Sequence, residues 1–198
     1  RYGDFGLGTV NHLDGEMVGI DREFYQIKTD GKAYLLADST KTPFAVTVFF
    51  HPDTTVKDTA LLADYAALKR YLDGLIENKN IFYAIRIDGD FSYVKTRSVP
   101  RQRRPYTRLV DVVKHQVTFE FHQSKGTIVG FWCPDYAKGI NVPGYHFHFI
   151  TADRKAGGHV LVCRMQNVTV KLDRLYGLKL DLPRNRLFEN SGKRMESG

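Results

Sequence analysis

Apolar and polar positions alternate over short stretches through most of the chain, the period of half-buried strands. Met17–Ile20, Glu23–Lys28, Ala33–Leu36 and Ala45–Phe50 read as strands, divided by the turn pairs Gly3-Asp4, Asp14-Gly15 and Asp30-Gly31. Asp30-Gly31 sits between two such stretches as a hairpin turn, with glycine supplying the positive φ. One segment changes period. Leu61, Leu62, Tyr65, Leu68, Leu72, Leu75 and Ile76 recur near 3.6, which predicts a helix over residues 57–78, capped by Thr55 or Asp58 and ended by Asn78–Asn80. Beyond it, Ile81–Ile87 and Phe91–Val99 form a strand pair turning at Asp88-Gly89, and Leu109–His115 reads as a short second helix. The last third returns to strands at Gln116–Phe121, Thr127–Phe131, Tyr145–Ile150, His159–Cys163, Val168–Lys171 and Leu178–Leu182. The expected fold class is therefore α+β and β-dominated, with one main helix. Two β-rich halves pack together, a mixed sheet and a smaller barrel-like sheet. Residues 1–198 are read as one unit, with possible sub-domains at 1–100 and 101–198.

Composition supports a packed core and narrows the setting. The 198 residues are 42% hydrophobic and 26% charged, which places the chain among globular proteins and away from disorder. The longest apolar run, around Pro43–Phe50, is too short to span a bilayer, and no basic and apolar leader opens the chain. Cys133 and Cys163 are too few for a disulfide scaffold and read as packed thiols. The net charge of +7 suits a nucleic-acid partner or an enzyme that draws in a small anion, and does not choose between them.

The most specific chemistry lies in Gly144-Tyr-His-Phe-His-Phe-Ile-Thr and the stretch Ala-Asp-Arg-Lys-Ala-Gly-Gly-His159 that follows it. Strand residues two apart share a face, so His146 and His148 project together, while Tyr145, Phe147 and Phe149 face the other way. The loop through Gly157-Gly158 turns the chain back, and His159 opens an antiparallel neighbour that reaches the same face. Three converging neutral imidazoles form a facial nitrogen set that suits Zn²⁺ and leaves positions open. His12, His51, His115 and His122 have no such spacing and read as surface or turn residues. Carboxylates to move protons and an arginine to hold an anionic substrate would complete a catalytic site, and periodicity alone does not rank the candidates.

Longer blocks of residues single out a family. The opening Tyr2-Gly-Asp-Phe-Gly-Leu-Gly-Thr-Val-Asn-His-Leu-Asp-Gly-Glu-Met-Val-Gly is similar to the N-terminal signature of α-acetolactate decarboxylases. Thr42-Pro-Phe-Ala, Phe82-Tyr-Ala-Ile-Arg-Ile-Asp-Gly, Thr96-Arg-Ser-Val-Pro-Arg-Gln and Gly126-Thr-Ile-Val-Gly-Phe resemble the family's later blocks, as do the histidine strand and Asp153-Arg-Lys-Ala-Gly-Gly-His-Val. These blocks keep the family's order from residue 2 to about residue 183.

The resemblance implies a metal-dependent carboxy-lyase that converts 2-acetolactate to acetoin and CO₂, with one Zn²⁺ per chain held by His146, His148 and His159. It also implies catalytic roles for Glu16, Arg97 and a tail glutamate, matched to Glu196 with Glu189 as the alternative, and a pocket position for Thr9. A homodimer, no nucleic-acid or membrane partner, and a cytoplasmic compartment with export as the alternative complete the expectation. Family members also carry a segment before the Gly-Asp-Phe-Gly block that is absent here. Two other readings compete. One is a nucleic-acid binder built on Arg101, Arg103, Arg104, Tyr106 and Arg108; the other is a non-catalytic zinc-binding β protein.

Overall fold

The computed structural model describes residues 3–103, 113–183 and 186–189. Two five-stranded sheets form the molecule, and every strand pairing among the described residues is antiparallel, so the sheet expected to be mixed is not. The first contains β1 (Phe5–Thr9), β2 (Glu16–Ile20), β3 (Glu23–Ile27), β4 (Ala33–Leu35) and β5 (Phe44–Val48), in the order β4-β3-β2-β1-β5. The second contains β6 (Thr54–Asp58), β7 (Phe82–Ser98), β8 (Val117–Cys133), β9 (Gly144–Thr151) and β10 (Gly157–Leu175), in the order β6-β10-β7-β8-β9. Because β10 also pairs with β9, four of these strands close on themselves as a barrel with β6 outside. The Asp30-Gly31 hairpin forms as expected, with Gly31 at φ 78° between β3 and β4.

The helix α1 spans Tyr65–Leu75, shorter than the 57–78 expected. Thr54–Asp58 instead pairs with β10 as β6, and Leu62 is tied by backbone hydrogen bonds to Met165. The cap is Asp64, whose Oδ1 accepts from the Ala67 amide at 2.6 Å, so the helix starts one turn after the apolar periodicity does. Leu68 and Leu72 are its fully buried positions, and with Ile76 they pack into the barrel core.

The turn expected at Asp88-Gly89 does not form, because β7 runs straight through it for 17 residues. Asp88 is held in the strand by Arg86 Nε, at 2.8 and 3.1 Å, and by the Thr127 hydroxyl at 2.7 Å. Gly89 lets β10 approach: a Cβ there would lie 2.9 Å from Val168 Cγ1. The segments 116–121 and 127–131 likewise merge into β8, and 159–163 and 168–171 into β10. Leu178–Leu182 forms no strand, and Leu178, Leu180 and Leu182 are exposed. Of the second expected helix, residues 109–112 lie outside the described residues, and Val113–His115 is a single 3-10 turn. Cys133 and Cys163 are free, buried thiols, as their count suggests.

Period-two alternation in the strands produces two cores. The barrel interior holds Ile85, Ile87, Phe91, Ile128, Phe147 and Phe149 with the α1 leucines. The second core lies between the sheets. There Phe5, Leu7, Val18, Ile20, Tyr25 and Ile27 of the first sheet meet Ala84, Val129, Phe131, Cys133 and Ile150 on the outer face of the barrel. His146 and His148 share strand parity with Ile150, so they lie on the outer, inter-sheet side, and Phe147 and Phe149 point into the barrel. Among the described residues, no helix is long and apolar enough to cross a membrane.

Candidate metal and acid–base site

Register builds the site. His148 of β9 lies directly opposite His159 of β10, and His159 lies opposite Arg97 of β7 on its other side. Three adjacent barrel strands thus deliver both rings and the guanidinium to one neighbourhood, with His146 two residues from His148. The three ring centroids are 5.0, 5.0 and 5.3 Å apart, and one ligand nitrogen from each ring lies within 4.8 Å of the others.

The first sheet supplies the opposing wall. Thr9 and Glu16 are Cα partners across β1 and β2, so both side chains extend the row that begins with Leu7 and Val18. Glu16 is 7% exposed, and its Oε2 lies 3.5 Å from His148 Nε2. His148 is fully buried, and its Nδ1 donates to the Met17 carbonyl at 2.8 Å. A carbonyl only accepts, so the proton sits on Nδ1 and the lone pair on Nε2 faces the site. His146 Nε2 and His159 Nδ1 are 3.2 Å apart.

Electrostatics keep the three rings neutral. Burial, reinforced by the Arg97 charge, pushes His146 down to about 4. Burial also pushes His159 down to about 2, with His146 and Arg97 adding to the effect. His148 is lowered well below its ordinary value by burial first and then by the two neighbouring rings. Burial drives Glu16 the other way, up to about 7, against the opposing pull of Arg97. The Glu16–His148 contact is therefore a carboxyl near a neutral ring and not an ion pair.

The buried nitrogens His146 Nδ1 and His148 Nε2 have no hydrogen-bond partner among the described residues. Neutral imidazoles, orphaned ring nitrogens and a ring fixed by a backbone carbonyl fit a divalent transition metal.

The turn that delivers Glu16 is tied down from several sides. The Thr9 hydroxyl donates to the Gly15 carbonyl at 2.6 Å, so it is engaged in shaping that turn. Gln26 Nε2 donates to the Asp14 carbonyl at 2.6 Å, and the Gly15 amide donates to the Val99 carbonyl. Gly15 itself holds φ 81°, where a side chain would be strained. The sequence reading missed Gln26 and also Gln116, whose Oε1 accepts from Arg97 Nη1 at 3.2 Å. Neither amide belongs to a spacing pattern that could have revealed it.

Of the expected site residues, the fold brings together Glu16, Arg97, Thr9, His146, His148 and His159. Glu196 lies outside the described residues, and Glu189 is exposed on a four-residue helix, α2 (Arg186–Glu189). His51, His115 and His122 are exposed and His12 is half-buried. Arg101 and Arg103 are exposed, and Arg104, Tyr106 and Arg108 lie outside the described residues.

Comparisons with known proteins place the sequence and the fold in one family. The family model described as Alpha-acetolactate decarboxylase matches residues 1–192. A protein of that name from Methanosarcina mazei is 47% identical over 190 residues, covering 96% of this chain and 66% of the relative. One from Brevibacillus brevis is 46% identical over 189 residues, covering 96% of this chain and again 66% of the relative. The chain thus spans just under two thirds of the length of these relatives. The crystal structure of alpha-acetolactate decarboxylase from Bacillus subtilis strain 168 superposes with a TM-score of 0.92 at 43% identity, over 96% of this chain and 80% of that one.

Proposed function

The chain belongs to the alpha-acetolactate decarboxylase family, and from that premise we propose that it converts 2-acetolactate to acetoin and CO₂. The observation that supports this most directly is three clustered neutral imidazoles, two of them with an unpartnered buried nitrogen, beside a buried carboxyl and an arginine. We infer that His146, His148 and His159 hold one Zn²⁺ per chain, and that Glu16 and Arg97 act on the substrate beside it. When bound, the metal supplies a Lewis acid for the negative charge that develops on the ketone oxygen.

Acetolactate carries a carboxylate on the carbon between its ketone and its methyl and hydroxyl groups. Breaking that carbon–carboxylate bond releases CO₂ and leaves the electron pair delocalised onto the ketone as an enediolate. One proton added to carbon then gives acetoin, so the balance is one acetolactate anion and one proton to one acetoin and one CO₂. Arg97 is always protonated and serves as an orienting cation for the carboxylate, not as an acid. Glu16, whose carboxyl burial raises toward neutrality against the pull of Arg97, is the group beside the site that carries a proton to one face. The close packing of the sheets around Glu16 and His148 excludes water, which strengthens both interactions. Glu196 is the proposed second carboxylate, and Thr9 acts by holding the turn that presents Glu16.

Residues 1–198 are taken to act as one unit. Pairing of two copies into a homodimer is proposed through the first-sheet edge at β5, which among the described residues pairs only with β1. The cytoplasm is the proposed compartment. Metal-reconstituted protein incubated with racemic acetolactate tests the function: acetoin formation abolished by His148→Ala is the expected result. Background acetoin formation by the wild type would reject it.

A further inference from the structure

We propose that Gln116 is a positioning residue, holding the Arg97 guanidinium through a neutral acceptor so that its whole charge is available to a carboxylate ligand. This rests on the reading of a carboxylate substrate given above. Arg97 lies one residue before the end of β7, opposite His159 on β10 and Thr118 on β8. Gln116 immediately precedes β8 and is half-buried, and its Oε1 takes the Nη1 hydrogen at 3.2 Å. Arg97 Nε is buried and has no partner among the described residues.

A guanidinium in a low-polarity setting is usually oriented by a carboxylate, which fixes it bidentately and cancels its charge. Among the described residues no carboxylate lies within ion-pairing distance of Arg97, and the side chain that orients it is an amide. A glutamate at position 116 would form the stronger hydrogen bond. It would also put a negative charge beside the incoming carboxylate and neutralise the cation that attracts it. Gln116 thus orients Arg97 without competing for the role of its anion.

The test compares the wild-type full chain, reconstituted with zinc, with Gln116→Glu and Gln116→Met, using two unreactive probes. 2-Hydroxy-2-methylbutanoate keeps the carboxylate and hydroxyl, and 3-hydroxy-3-methylbutan-2-one keeps the ketone and hydroxyl without the charge. Calorimetry should show Gln116→Glu weakening the carboxylate probe about tenfold or more, equivalent to about 1.4 kcal/mol, with the neutral probe within about twofold of wild type. Gln116→Met, which removes the acceptor and adds no charge, should weaken the carboxylate probe less than the glutamate does. Thermal melts of both variants near that of wild type exclude unfolding as the cause.

A glutamate variant that binds the carboxylate probe as tightly as wild type, or that loses both probes equally, overturns the proposal. So does a wild type that binds neither probe. A wild type that shows the charge-selective binding and forms no acetoin would instead reject the decarboxylase reading and leave the role of Gln116 standing. In turnover, the glutamate variant should raise KM more than it lowers kcat.

Discussion

Gly130→Ala offers a sharp test of how packing inside the barrel fixes the histidines outside it. Gly130 of β8 lies opposite Phe147 of β9, between His146 and His148 in the chain. A Cβ at Gly130 would sit 2.2 Å from Phe147 Cδ1, 2.6 Å from Cε1 and 3.0 Å from the His146 carbonyl oxygen. Phe147 is 1% exposed, and its ring is held between Tyr145, stacked at 5.5 Å, and Tyr65, edge-on at 5.8 Å. The ring cannot swing aside without displacing both neighbours, so relief must come from shifting β9 itself. Overpacking of this kind costs about 1–3 kcal/mol. For a chain of this length each kcal/mol lowers Tm by about 2–4 °C.

The same shift moves His146 and His148, so metal affinity should fall together with stability. Gly74→Ala is the control, because a Cβ at that helical glycine meets nothing within 4 Å. It should raise stability by about 0.4–1 kcal/mol and leave metal binding unchanged. Thermal melts and chelator-competition titrations on the two variants supply both readouts. A Gly130→Ala protein that melts with wild type and holds metal equally well would refute the link between barrel packing and the site.

Other outcomes follow from the same geometry. His148→Ala removes a proposed metal ligand and the imidazole that bonds the Met17 carbonyl. Metal content should drop to background and stability by about 1–3 kcal/mol from that carbonyl alone, as read by elemental analysis and urea denaturation. Glu16→Gln keeps the shape of a 7% exposed side chain and removes its proton chemistry. It should retain metal and slow acetoin formation on the order of a hundredfold or more, and unchanged steady-state turnover would remove Glu16 from the mechanism. The Val99–Gln102 backbone runs beside the turn leading to Glu16, with Arg101 and Arg103 exposed. Raising ionic strength from about 20 to about 200 mM should therefore lower kcat/KM for the anionic substrate about two- to threefold at constant kcat, and a flat profile would deny these charges any part in substrate capture.

The histidine trio was legible in the sequence because period-two alternation is local. His146 and His148 must share a face, and Gly157-Gly158 brings the chain back so that His159 pairs with His148. What faces that trio was not local. Glu16 reaches it only because the first sheet packs its Leu7 and Val18 face against the outside of the barrel, a contact that spans more than a hundred residues of chain. Composition and spacing do not encode that contact, and only the family resemblance singled Glu16 out.

The Asp88-Gly89 pair illustrates a different failure. Its turn chemistry is overridden by the Arg86 side chain two residues back on β7, by Thr127 of β8 and by the close approach of β10, the last two supplied by other strands. The start of α1 was misplaced for a related reason, since Leu62 has its apolar position in the helical rhythm but spends its backbone on Met165. Gln116 was invisible because a lone amide has meaning only beside the arginine it meets.

The central claim is that these residues direct decarboxylation and then protonate one face of the resulting enediolate. Chiral analysis of the acetoin formed from racemic acetolactate, with CO₂ measured in the same reaction, tests it most directly. A single acetoin enantiomer, equimolar with CO₂ and lost in Glu16→Gln, is the expected result. Racemic acetoin appearing at the uncatalysed rate would contradict the account.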